Sequence, residues 1–304
     1  MSLNAFLEKA GWAQAEQAPV AADYSTRRFT RLRRGATTAI LMQAGPDQKT
    51  PAFVTIDGLL RRAGIAAPDI YAADPTAGLV LMQDFGDRTL GSLVDAGADP
   101  DPLYRRAAEL LAHLHGAVGA RKEELPCFTV DVFLDLLAPY LDIAFPLWRG
   151  RPARDDERAA FLTAWREVLR PACAGPSVLL LRDYMLDNLM ERAGETGLAA
   201  TGVVDFQEGG WGPAAYDLAS LAESVRREAP LARLDFVLTT YQAAKPVPDA
   251  ALLRRQALVF AAHRHTRIAG HFTRYGETKI VERVRAALVA LAAEPELAFL
   301  RAWV

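Results

Sequence analysis

Residues 181–221 read LRDYMLDNLMERAGETGLAATGVVDFQEGGWGPAAYDLASL, and the reading of this stretch decides the fold of the chain. Asp183 and Asn188 follow an apolar run at residues 178–181, and Asp205 closes a second apolar run at residues 202–204. The turn-rich piece between the runs, residues 191–200, holds Gly194 and Gly197. The two runs are therefore expected to pair as a hairpin, with Asp205 brought near Asn188 and Asp183. Taken singly, Asp and Asn are ordinary turn formers. As an ordered set they fit a different chemistry, in which one carboxylate faces an acceptor hydroxyl while an amide and a second carboxylate hold Mg²⁺. Phosphoryl transfer from a nucleotide requires that arrangement.

The 304 residues are 51% hydrophobic and 24% charged, a composition that gives two lobes enough apolar material for separate cores. A formal charge of −2 exerts no general pull toward nucleic acid or an anionic membrane, so the expected partners are a nucleotide and a small molecule. Cys127 and Cys173 are far apart and belong to no metal-ligand spacing, which fits a reducing compartment. The N-terminus lacks a basic segment followed by an apolar one, and no apolar run approaches the ~20 residues that span a bilayer. A cytoplasmic protein is expected. The sequence sets no oligomeric state.

Leu3, Phe6, Leu7 and Ala10 mark a short amphipathic helix over residues 3–12. Two β runs joined at Arg34-Gly35 read as a hairpin whose second strand covers residues 37–43. At its head the segment DYSTRR, residues 23–28, sets hydroxyls beside Arg27 and Arg28, a combination suited to phosphate oxygens, although no glycine-rich phosphate loop accompanies it. Residues 51–63 read as a helix with Phe53, Ile56, Leu59 and Leu60 inward and Gly64 closing it. Residues 78–87 form a buried strand running into a glycine-containing bend, where the boundary between lobes is placed. Beyond it the periodicity is helical over residues 103–118, 131–141, 161–169, 214–227, 231–244, 251–272 and 279–293. The fold class is therefore α+β, with a small β-rich lobe over residues 1–86 and a larger, mainly helical lobe over residues 87–304 that carries a catalytic β-hairpin. Within the pairs His113/His115 and His263/His265, helical side chains two residues apart diverge by about 200°, so neither pair is expected to share a metal ion.

The spacing from Asp183 to Asn188 is that of a kinase catalytic loop, in which the Asp orients or deprotonates the acceptor hydroxyl. Asn188 then offers its side-chain oxygen to Mg²⁺, and Asp205 bridges the ion to the phosphates. Arg182 either neutralises charge or ties the loop to a neighbouring acid. Asp217, which opens YDLASLAES, either accepts backbone N–H bonds from that loop or serves as a helix N-terminal acid.

Through RDYMLDN, VVDF and YDLASL the chain resembles the protein-kinase-like small-molecule phosphotransferases, the group of aminoglycoside phosphotransferases and choline kinases. More narrowly it resembles the bacterial anomeric sugar kinases of cell-wall (peptidoglycan) recycling, which phosphorylate N-acetylmuramate and N-acetylglucosamine at the 1-hydroxyl. That narrower likeness rests on DYSTRRFTRL, DFGDRTL, RDYMLDNLM, VVDFQEGGWGPAAYDLASL, HRHTRIAGHFTR and LRAWV. The resemblance implies a bilobal protein-kinase-like fold, ATP, Mg²⁺ and a sugar acceptor. Two positions depart from the pattern. Leu181 stands where relatives carry His, and the strand AILMQ at residues 39–43 has no lysine, since the lysines are Lys9, Lys49, Lys122, Lys245 and Lys279. By the same resemblance Arg27 or Arg28, with Ser25, is expected at the phosphates, and Met82, Gln83 and Phe85 at the nucleotide base. For the sugar, Arg264 or Arg267 is expected to pair with the N-acetylmuramate carboxylate, while Gln207, Glu208 and Trp211 line the pocket. The alternatives are an aminoglycoside or choline-like acceptor, and a degenerate nucleotide-binding protein without turnover.

Overall fold

The computed structural model describes residues 2–20, 27–45, 49–119, 124–227, 229 and 231–304. They fall into two compact units, Met1–Pro100 with Leu186–Gly209, and Asp101–Met185 with Gly210–Val304. Residues 87–100 and the returning segment Leu186–Gly209 thus pack with the first unit, so the 181–221 stretch changes unit twice.

In the first unit Ser2 caps helix α1 (Leu3–Lys9), its side chain accepting from the Ala5 N–H. Strands β1 (Glu16–Val20), β2 (Arg28–Arg34) and β3 (Thr37–Gln43) lead to helix α2 (Thr50–Arg62) and then to β4 (Ile70–Asp74) and β5 (Leu79–Gln83). The five strands make one antiparallel sheet in the order β1-β2-β3-β5-β4. Register puts Leu32 opposite Ala39 and Leu41 opposite Leu81, and these residues pack with Phe6, Leu7 and Trp12 into one core. Strand β5 is buried on both faces. Such a strand reads as a continuous apolar run rather than an alternating one, which is why LVLM stood out in the sequence. Helix α2 ends as expected. Gly64 at φ +72 donates to the Arg61 carbonyl and Ile65 to that of Leu60, the Schellman pattern. Helix α3 (Leu90–Asp95) starts on a capping box made by Thr89 and Ser92. Strands β1 and β4 lay outside the expectations: Ala-Pro interrupts one, and the other alternates too weakly to register.

The second unit begins with α4 (Pro100–Ala117), α5 (Val130–Asp135), a π-turn at Tyr140–Ala144, α6 (Phe145–Arg149) and α7 (Asp155–Ala172), followed by strand β6 (Ser177–Leu180). Strands β7 (Leu189–Glu191) and β8 (Thr201–Val203) belong to the first unit. The second resumes with β9 (Gly210–Pro213), α8 (Ala215–Ala222), α9 (Leu234–Ala244), α10 (Ala250–Arg274), α11 (Thr278–Leu291) and a closing 3₁₀ segment, Pro295–Ala302. Helix α10 is the axis of this unit, packing on α7, α8, α9 and α11. Among the described residues no helix is long and apolar enough to cross a membrane.

The hairpin expected between residues 178–181 and 202–204 needs correction. The second run does fold back across the Gly194–Gly197 turn, but onto β7, with Leu189 opposite Val203 and Met190 opposite Gly202. The first run pairs instead with β9, Leu179 opposite Trp211 and Leu180 opposite Gly210. Apolar pattern marks a strand without naming its partner, and Gly-Trp-Gly-Pro has little strand propensity of its own. Its glycines are there for close approach: a Cβ on Gly210 would lie 2.3 Å from the Pro126 carbonyl oxygen, and one on Gly212 2.6 Å from Leu180 Cδ1.

Gly270 serves the same purpose on α10. A Cβ there would come within 2.3 Å of the Pro139 carbonyl group and 2.7 Å of the Tyr140 nitrogen. Backbone cannot swing aside as a side chain can, so Gly270→Ala should destabilise the protein by about 1–3 kcal/mol, the usual cost of overpacking. A lowered urea midpoint with unchanged m-value checks this.

Candidate active site

The turn that carries Asp183 is built from both ends of the second unit. Arg182 has φ +70, a conformation that non-glycine residues adopt at a cost of order 1 kcal/mol unless the surroundings hold it. Asp217, at the start of α8, holds it. Its Oδ2 accepts the Leu181 N–H at 2.6 Å and its Oδ1 the Arg182 N–H at 2.8 Å. The carboxyl is fully buried, and burial pushes its pKa up to about 7 against the pull of those two donors. The Leu181 side chain is buried, so what fixes the turn at this position is the backbone. Tyr184 anchors the far side, its hydroxyl donating to the Ala107 carbonyl of α4 at 2.8 Å.

Asp183 itself is half-buried, and Arg267 Nη2 of α10 donates to its Oδ1 at 3.2 Å. Burial raises the Asp183 pKa, but Arg267, Arg182 and Arg264 together outweigh it and hold the carboxyl below the usual carboxylate value. Asp183 is an anion across the neutral range. Arg182 is buried with its guanidinium over the Phe128 ring, so it acts on Asp183 through its charge and its backbone.

The second acidic cluster lies wholly in the first unit. Leu186–Asn188 make a 3₁₀ turn into β7, and the Asn188 carbonyl accepts the Val204 N–H, which sets Asn188 beside the end of β8. Asp205 has φ +60, within the left-handed region that Asp tolerates better than most residues. Its Oδ1 accepts from Arg27 Nη2 at 2.7 Å and from Gln207 Nε2 at 3.1 Å, and its Oδ2 lies 3.5 Å from Asn188 Nδ2. Arg28 is exposed on β2 opposite Gln43, so of the two arginines it is Arg27 that reaches the acid. Ser25 lies outside the described residues.

The residues expected at the nucleotide base sit at the end of β5. Met82 is buried opposite Ile40, and Gln83 pairs with Asp69 through both backbone and side chain. The half-buried Phe85 ring fills the space over Gly202, where a Cβ would come within 2.6 Å of it, and the Arg192 guanidinium lies over it. The bend that follows is clamped by Arg31, which the sequence reading missed. Its Nε donates to Asp84 at 2.7 Å and its Nη2 to Asp87 at 2.8 Å, and these acids, Asp87 foremost, raise its pKa.

The residues expected to line the sugar pocket take the following places. Trp211 is 1% exposed within β9, so the indole is packing. Gln207 is buried and turned toward Asp205, and Glu208 pairs with Lys49 at 2.8 Å. Arg264 is buried, its Nη1 donating to the Glu223 carbonyl, while the Glu223 carboxylate meets His265 Nε2 at 3.1 Å. His263 donates from Nε2 to the Phe133 carbonyl, and burial lowers its pKa to about 3. Gln207, Glu223, His263, Arg264 and His265 are interior residues, whereas Glu208 is half-exposed. Helical periodicity marked the α10 residues without showing that the helix is enclosed on several sides.

A family model described as Phosphotransferase enzyme family matches residues 16–257. A relative from Caulobacter vibrioides named N-acetylmuramate/N-acetylglucosamine kinase is 29% identical, over 98% of this chain and 94% of its own length. Two solved structures share the fold. A choline/ethanolamine kinase family protein from Mesorhizobium loti has a TM-score of 0.66 at 16% identity, covering 99% of this chain and 97% of its own. The GDP complex of an aminoglycoside 2'-phosphotransferase has a TM-score of 0.63 at 15% identity, covering 95% and 97%. The α+β, bilobal, protein-kinase-like fold expected from the sequence is the one the chain has.

Asp217 gives this geometry a direct test. Asp217→Ala leaves two buried N–H groups without acceptors, at roughly 1–3 kcal/mol each, so thermal and urea unfolding should both show a large loss of stability. Asp217→Asn should recover only part of it, because its NH₂ faces a donor.

Proposed function

The chain belongs to the phosphotransferase enzyme family, and on that premise we propose that it transfers the γ-phosphoryl group of ATP to the anomeric hydroxyl of an amino sugar, N-acetylmuramate or N-acetylglucosamine. It is a kinase with a hydroxyl acceptor. The observation that carries the reading is the Asp183 carboxylate, fixed on an Asp217-held turn and kept ionised by arginines. The choice of amino sugar is supported by the name of the Caulobacter relative and by the sequence likeness that covers nearly the whole chain.

In this reading Asp183 accepts a hydrogen bond from the sugar hydroxyl, orients it and takes its proton as the bond to phosphorus forms. Its low pKa favours orientation over proton abstraction until the hydroxyl is already losing its proton. Arg182 and Asp217 keep the turn in shape. Functionally, nucleotide handling is assigned to residues 1–86, with the base near Met82, Gln83 and Phe85, and acceptor chemistry to residues 87–304.

Asn188 and Asp205 fit Mg²⁺. A small hard cation takes one or two carboxylates and completes its shell with phosphate and water oxygens, and Asp205 already attracts a cation, the Arg27 guanidinium. Turning the Asn188 amide over presents Oδ1 in place of Nδ2. When bound, Mg²⁺ supplies neutralisation of the phosphate charge. Arg27 takes the phosphate-binding part that a strand lysine plays elsewhere, and its planar fork suits two phosphate oxygens.

Incubation with Mg-ATP and each sugar should give a sugar 1-phosphate by ³¹P NMR, and Asp183→Asn should lower turnover by orders of magnitude while ATP still raises the melting temperature. The absence of product with either sugar, in protein that binds ATP, would overturn the acceptor assignment. The charge balance adds a pH prediction. Because Asp183 is held low, its ionisation should leave kcat/KM flat down to the acid limit of folding. Arg267→Gln removes the foremost of the lowering charges, so the pKa rises and an acid limb should enter the measurable range, activity falling as pH drops through it.

A further inference from the structure

Arginines near Asp183 are the obvious candidates for reading an anionic acceptor, yet two of them are committed elsewhere. Arg264 is buried against Glu223, and Arg267 is bonded to the base. The same helix continues outward. His271 lies four residues beyond Arg267 and Arg274 three beyond His271, spacings that put all three on one face of α10. Exposure rises along that face, with Arg267 and His271 half-buried and Arg274 exposed. The His271 ring stands in the field of Arg267, Arg274 and Asp183 together, so it is His271 that lies within electrostatic reach both of the group that meets the acceptor hydroxyl and of the outer cation. Tyr275 meets the His271 ring edge-on at 5.0 Å between centroids and so limits its rotation.

We propose that His271 and Arg274 are the specificity residues of the acceptor site, forming a carboxylate subsite one to two helical turns beyond Arg267, with Arg274 giving a fixed charge and His271 a ring N–H. This rests on the amino-sugar reading above and moves the carboxylate contact away from Arg264 and Arg267. The two sugars make the chemistry explicit. They differ by one lactyl ether, whose carboxylate sits across the pyranose ring from the 1-hydroxyl. That separation is of the same order as one helical turn, about 5.4 Å. With the hydroxyl on Asp183, an anion at that distance falls by His271 at the next turn of α10, and the charge of Arg274, whose side chain leans back over that turn as helical side chains do, acts at the same place. Neutral N-acetylglucosamine has nothing to offer these cations, so their contribution appears only as a preference between acceptors.

The experiment is steady-state kinetics on the full-length protein with both sugars for wild type, Arg274→Gln, Arg274→Glu, Arg274→Lys and His271→Gln. The expected result is that Arg274→Gln lowers the kcat/KM ratio of N-acetylmuramate to N-acetylglucosamine by about tenfold, through KM rather than kcat, as loss of a charge-assisted contact implies. Arg274→Glu should lower the ratio further, Arg274→Lys should restore part of it, and His271→Gln should lower it less. An unchanged ratio in Arg274→Gln and Arg274→Glu, with both sugars still turned over, overturns the subsite and leaves the proposed function standing. Equal losses on both sugars also overturn it, since they mark a role in folding or positioning. Wild-type protein that phosphorylates neither sugar overturns the function and the subsite together.

Discussion

Asp217 presents its two carboxylate oxygens to consecutive backbone N–H groups, those of Leu181 and Arg182, and so holds the chain through a turn that an arginine would not adopt alone. The Asp183 end of the candidate site depends on that pair of bonds. They fix where Asp183 points, and they do so from a fully buried position where no water competes. Burial also makes the arrangement exacting. Burial pushes the pKa of this carboxyl up to about 7, and the two backbone donors are what keep it from rising further. The loop is thereby secured through backbone, which explains how a leucine at position 181 is accommodated.

Paired charges recur at each acid of interest. Asp183 has Arg267, Asp205 has Arg27, and Asp84 with Asp87 has Arg31. Each pair puts a charge-assisted hydrogen bond on its acid and fixes the direction in which the carboxylate faces. In the first unit the pairing has a second consequence. The Arg27 guanidinium on Asp205 sets a positive group against the carboxylate that the proposed reading gives to the metal ion.

The acidic set was legible because its members are close together in the chain. Asp183, Asn188, Asp205 and Asp217 come from one stretch of sequence, with spacings that short turns and strands can be read to impose. Their partners were not legible in the same way. Arg27 meets Asp205 across 178 residues and Arg267 meets Asp183 across 84. Helical spacing named Arg267 as a residue of interest but not its partner. For Trp211 and Gln207 the motif gave the position but not the surroundings. Their position in a motif drew attention, yet burial against β6 and a bond to Asp205 take both side chains inward.

Sequence by itself determined the α+β class, the strand-then-helix order, the β2–β3 hairpin and the longer helices, though not the short α3 and α6, because periodicity, caps and turn chemistry are local properties of the chain. Tertiary structure alone decided which strand pairs with which, so that residues 177–180 join the Gly-Trp-Gly-Pro segment and residues 189–191 join 201–203. It also decided which polar residues of α10 are interior and which arginine meets which acid. Those outcomes follow from close packing and from the need of each half-buried charge for a partner, and neither is written in the spacing of residues along the chain.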